Sequence, residues 1–153
     1  MTDILARRTL EEPAAEQAIE DLHVLLEQLW LDAAFVPAPD QMAFTTAVIE
    51  AASNVVQHGV PTEGATLLLG VELTVAVERL RAVISEIGAA PLDPVPDLAG
   101  PSDLPGPDDD ALLEDYDESG RGLSMIRALV TTVTVEREGD TNVWVLSRDS
   151  GQG

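Results

Sequence analysis

With 153 residues, 45% of them apolar, the chain is long enough to build one domain around a real core. Its 28 acidic residues against 8 basic ones give a formal charge of -20, which argues against direct contact with a nucleic-acid backbone or an anionic membrane and points to a protein or a small ligand. No cysteine is present, so no disulfide or thiolate metal cage holds the fold. No apolar run approaches the roughly 18 residues needed to cross a bilayer, and the N-terminus carries no export signal, so a cytoplasmic chain is expected.

In chain order, ILARRTL (4–10) is a short strand candidate at best. PAAEQAIEDLHVLLEQLW follows, with apolar residues at 15, 18, 19, 22, 25, 26 and 29, the spacing of one helical face, and Pro13 suits its first turn. The prolines of FVPAPD break the chain, and Asp40 can cap a second helix on which Phe44, Ala47, Val48, Ala51 and Val55 line an apolar face up to Gly59. TLLLGVELTVAVERLRAVISEI (66–87) alternates at Val71, Leu73, Val75 and Val77, breaks at Glu78-Arg79 and resumes, which reads as a β-hairpin.

The next stretch, from about 89 to 119, is rich in Pro, Gly and Asp. Ten acidic residues fall between Asp93 and Glu118, and no Lys or Arg occurs from Ser85 to Gly120. Such a composition builds no core and is expected to form a long flexible lid. GRGLSMIRALV then reads as a glycine-flanked helix start, and TTVTVEREGDTNVWVLSR as two strands around a Gly-Asp turn. The order of elements predicts an α+β two-layer sandwich over residues 1–153, with helices on one face of a mixed, mostly antiparallel sheet.

Helix two carries the chemistry. In EAASNVVQHG (50–59) the spacing places Glu50, Asn54 and His58 along one edge. An asparagine carbonyl is a hard oxygen ligand suited to Mg²⁺, and a carboxylate one turn earlier can take a proton from an attacking hydroxyl in phosphoryl transfer. The Gly120-Arg121-Gly122 junction at a helix start supplies close backbone approach and free N–H groups, an anion site. Each feature alone has an ordinary explanation as a solvated helix edge, a histidine at a helix C-terminus, or a turn. Their order and joint spacing point to a Mg-nucleotide.

These residues carry a family resemblance. FTTAVIEAASNVVQHG resembles the N box of the histidine-kinase-like (GHKL, Bergerat-fold) ATPases, in the E-x-x-x-N-x-x-x-H-G form found in bacterial anti-sigma factors with serine-protein kinase activity. VISEIGAAPLDP is similar to the G1 box, usually D-x-G with a later D-P, and ESGRGLSMIRALVTTVTVERE is similar to the G2 box. The resemblance spans about residues 10 to 148. It implies Glu50 as catalytic base, Asn54 as Mg²⁺ ligand, and Gly120, Arg121, Gly122 and Leu123 as phosphate contacts from lid to helix. His58 and Gly88 would join the nucleotide-binding set. Glu86 stands where the family places the aspartate that hydrogen-bonds the adenine amino group, and Ala89-Ala90-Pro91 replaces the usual second glycine.

The activity implied is that of an ATP-dependent serine-protein kinase in transcription regulation and stress response. Such a protein sequesters a sigma factor, phosphorylates a STAS-type anti-sigma factor antagonist, and works as a homodimer. The alternative is a catalytically weak or silent member of the same fold that regulates its partner stoichiometrically.

Overall fold

Alternation along the strands decides which face of the sheet is covered. The computed structural model describes residues 4–92 and 118–150, without the side chains of 118–121, so the expected lid lies outside the described residues from 93 to 117. The described elements are β1 (Ile4–Pro13), α1 (Glu16–Asp32), α2 (Ala38–His58), β2 (Leu68–Ala76), β3 (Arg79–Ile87), α3 (Glu118–Leu129), β4 (Thr132–Glu138) and β5 (Thr141–Asp149). The strands form a five-stranded sheet of order β1-β2-β3-β5-β4, and every pairing is antiparallel rather than mixed.

One sheet face carries Leu69, Val71, Leu73, Val75, Leu80, Ala82, Ile84, Val133 and Leu146, all buried against Leu22, Leu26 and Leu29 of α1, Phe44, Val48 and Val55 of α2, and Ile126 of α3. A two-layer α+β sandwich follows, because a sheet with one continuous apolar face has to bury it under the amphipathic faces of the helices. Trp30 and Phe44 lock α1 to α2 in an edge-to-face contact with centroids 6.0 Å apart. The Trp30 indole N–H also donates to the Thr45 hydroxyl at 2.9 Å.

Several boundaries differ from the sequence reading. Val77 falls in the turn after β2 and is exposed. β1 is a ten-residue edge strand rather than a short one, paired with β2 along its length. It takes in Pro13, and α1 starts at Glu16. An edge strand needs only one paired side, so proline at its end removes no ladder bond that matters. Asp40 does not cap α2, which begins at Ala38 after Pro37. Its carboxylate is turned inward instead, 8% exposed, and accepts from Arg148 Nε at 3.0 Å and from the Ser150 hydroxyl at 3.4 Å. Gly59 does stop α2, and the reason is space. A Cβ there would lie 2.5 Å from the Val55 carbonyl oxygen and 2.6 Å from Leu67 Cδ2.

Arg148 ties three elements together. From β5 it bonds Asp40 at the start of α2, with Nη2 2.8 Å from Oδ1, and donates from Nη1 to the Leu129 carbonyl at the end of α3. Replacing it with leucine strands a largely buried carboxylate and a helix-end carbonyl. Arg148→Leu is expected to cost about 2 to 3 kcal/mol in chemical denaturation, below the figure for a fully buried pair because the Arg148 side chain keeps 25% exposure. Asp40→Asn added to it should recover part of the loss.

Candidate functional site

The site is built where α2 meets α3. Four-residue spacing stacks Glu50 and Asn54 on the side of α2 that α3 crosses, and both are half-buried. Against them stands Gly122. A Cβ at this position would lie 2.7 Å from Glu50 Oε1 and 3.1 and 3.2 Å from the Asn54 amide nitrogen and oxygen. Only a glycine lets the α3 backbone come this close with both polar groups in place. Among the described residues neither Glu50 nor Asn54 has a hydrogen bond or ion pair, so a carboxylate and an amide oxygen face the same small cradle with their acceptor capacity unspent. That donor set, hard oxygens beside a helix start, fits Mg²⁺ and a phosphate chain.

Other residues picked from the sequence fall around this pair in different ways. α3 begins at Glu118, two residues before the expected glycine-flanked start. The N–H groups that lack intrahelical partners are therefore those of residues 118–121, which include Gly120 and Arg121 but leave Gly122 and Leu123 inside the helix. Leu123 is half-buried. His58, in the last turn of α2, is exposed, and the atoms nearest to a Cβ at Gly122 belong to Glu50 and Asn54.

Gly88 serves as a turn. Its φ of 75° is the left-handed conformation that suits glycine, its N–H donates to the Asp140 carbonyl at 3.1 Å, and its carbonyl accepts from Thr62 N–H at 2.9 Å. Ala89 and Ala90 are bonded on either side, to the Asp140 and Val60 carbonyls.

Glu86 sits on the helix-covered face of β3, 5% exposed, and both of its oxygens are engaged. Trp144 Nε1 donates to Oε1 and Asn142 Nδ2 to Oε2, each at 3.0 Å. Asn142 and Trp144, which bond Glu86, and Arg137, which bonds Asn142, are not among the residues that the sequence motifs mark as a site. A signal existed: in TNVWVL, alternation puts 142, 144 and 146 on the core face, and an asparagine and an indole N–H there demand acceptors. A shallow groove of about 530 Å³, lined in part by Thr9, Glu72, Val83 and Ser85, lies on the helix-free face of the sheet and takes no part in this site.

The sequence matches the histidine kinase-like ATPase domain family over residues 12–147, and the chain belongs to that family. Among solved structures it is similar to the crystal structure of the RsbU and RsbW domains of Rv1364c from Mycobacterium tuberculosis. The TM-score is 0.63 and the identity 17%, with 97% of this chain covered. The chain spans 33% of the length of that structure, and at this identity the likeness is one of fold. No curated protein gives a significant match. No helix among the described residues is long and apolar enough to cross a membrane.

The atoms a Gly122 methyl would meet are the free ends of flexible side chains, so the constraint falls on the site more than on the fold. Alanine also gains about 1 kcal/mol of helix propensity over glycine. Gly122→Ala is therefore expected to leave the unliganded thermal midpoint unchanged or raised while displacing Glu50 and Asn54 and abolishing any stabilisation by Mg-ATP. A midpoint lowered by several degrees would show that this close approach is a packing requirement instead.

Proposed function

We propose that this chain is an ATP-dependent serine-protein kinase acting as an anti-sigma factor. In this reading it sequesters a sigma factor, works as a homodimer, and is released when it phosphorylates a STAS-type anti-sigma factor antagonist. The observation that carries the proposal is the convergence of Glu50 and Asn54 on Gly122, a carboxylate and an amide oxygen beside a glycine-bearing helix in a chain of the ATPase family. The choice of partners draws on the E-x-x-x-N-x-x-x-H-G form of the N box, and the charge of -20 favours action through proteins over contact with DNA.

The roles follow from the chemistry of each group. The Asn54 amide oxygen would hold Mg²⁺, which when bound neutralises charge on the polyphosphate. Backbone N–H groups at the start of α3, including those of Gly120 and Arg121, would bind phosphate oxygens at the positive helix end. Glu50 would accept the proton of the attacking serine hydroxyl, a task for which a carboxylate without a competing partner among the described residues is suited. Glu86 would offer its carboxylate to the base, with Gly88 shaping the turn beside it.

A second reading, a silent member of the fold that regulates its partner stoichiometrically, draws on Glu86 and Ala90. The carboxylate already accepts two hydrogen bonds, and a bonded alanine stands where the family has its second glycine.

Heat denaturation separates the two readings. At 100 times its dissociation constant, a ligand of the native state contributes about 2.7 kcal/mol. At about 2 to 4 °C per kcal/mol for a domain this size, Mg-ATP should raise the midpoint by about 5 to 10 °C. No shift at millimolar Mg-ATP favours the silent regulator.

The roles on α2 separate in turn. Asn54→Ala should weaken ATP binding only when Mg²⁺ is present. Glu50→Gln should lower phosphate transfer to the antagonist by about 10² to 10⁴, with nucleotide affinity nearly unchanged. Transfer at the natural rate by Glu50→Gln would make Glu50 a structural edge residue.

A further inference from the structure

Glutamate in place of aspartate at position 86 moves the carboxylate one methylene further from β3, and β5 receives it. Glu86 pairs directly with Asn142, while Trp144 pairs with Ile84 two residues away on the same face. One donor therefore comes straight across and the other diagonally, a separation of about 7 to 8 Å that an aromatic side chain can span. Trp144 Nε1 takes Oε1 and Asn142 Nδ2 takes Oε2, each at 3.0 Å. An aspartate would end short of both.

Asn142 is itself fixed. Its Nδ2 also donates to the Ala90 carbonyl at 2.8 Å, and its Oδ1 accepts from Arg137 Nη1 at 3.1 Å. The same Nη1 reaches the Ala89 carbonyl at 2.7 Å. A carboxylate offers about four acceptor positions. Two are filled here, and the remaining one on each oxygen points in a direction set by the bonds already made.

We infer that Trp144 and Asn142 are positioning residues that aim the Glu86 carboxylate at the nucleotide base, so that base selectivity in this chain is set from β5. The inference rests on the ATP-binding reading above. It assigns Trp144 a role that burial alone does not explain, because a half-buried ring could pack on the core without presenting its N–H to a carboxylate. A fixed acceptor favours a base edge that presents an amino donor and disfavours one that presents a carbonyl.

The chain has two tryptophans, which makes the test direct. In the ¹⁵N-labelled protein two indole N–H resonances are expected, and Trp30, bonded to Thr45, is the internal control. Glu86→Gln should move the Trp144 resonance in the absence of nucleotide, and Mg-ATP should move it in the natural protein, with Trp30 nearly still in both cases.

By calorimetry, Trp144→Phe should weaken Mg-ATP binding about tenfold and bring the ATP and GTP affinities closer together, the loss of one hydrogen bond to a charged group. Placed on Glu86→Gln, the same change should cost less than about twofold, because Trp144 acts through the carboxylate. Where Trp144→Phe does not fold, Trp144→His keeps a ring N–H and should retain selectivity.

If the natural protein binds neither nucleotide, the ATP-binding reading falls and takes the inference with it. If it binds ATP and Trp144→Phe keeps the natural ATP-to-GTP ratio, the reading stands and the inference is overturned. An unmoved Trp144 resonance in Glu86→Gln overturns it as well.

Discussion

The missing side chain at Gly122 is the constraint on which the candidate site depends. α2 and α3 approach until the backbone of one lies against the polar ends of Glu50 and Asn54 on the other, with no room for a methyl group between them. A larger residue would force the two side chains to turn away or the helices to separate, and the carboxylate and amide would no longer face the same small volume. A glycine inside a helix is ordinarily a weakness of about 1 kcal/mol relative to alanine. Here that local cost accompanies a gain in proximity, a familiar compromise where backbone approaches chemistry.

The sheet holds its own buried carboxylate by a different device. Glu86 is a buried acidic residue with no ion pair among the described residues, and it accepts from two neutral donors on the neighbouring strand. A carboxylate buried in a core needs hydrogen-bond donors. The antiparallel register meets that need by placing Asn142 and Trp144 within reach on one face. Arg148, next to the end of the same strand, holds Asp40 and the Leu129 carbonyl, so β5 fixes Glu86 at one end and the helix layer at the other.

Much of this was legible in the sequence, and the parts that were not share a physical cause. The helical faces of α1 and α2, the two hairpins and the edge formed by Glu50 and Asn54 are local patterns, written in spacings of two, three and four residues. The partners of Glu86 lie 56 and 58 residues away, and Arg148 lies 108 residues from Asp40. No local period encodes such pairs, and Asp40 read alone resembles a helix cap because a cap is the commonest local use of an aspartate after a proline-rich break. β1 reads short in the sequence because an edge strand with Arg7, Arg8, Glu11 and Glu12 among its ten residues shows little alternation of its own and takes its order from β2.

The Arg148 clasp has a mechanical consequence. It fixes one end of α2 to one end of α3 through Asp40 and Leu129, while Glu50, Asn54 and Gly122 lie toward the opposite ends. Between clasp and site both helices are seated on the sheet, α2 by Phe44 and Val48 and α3 by Ile126. The stretch from Gly122 to Leu129 rises about 10 Å along the axis, so an error of only about 10° in the angle set at the clasp corresponds to about 2 Å at Gly122. The contact of Gly122 with Glu50 and Asn54 therefore depends on how accurately a guanidinium at the other end of the helix pair sets their crossing.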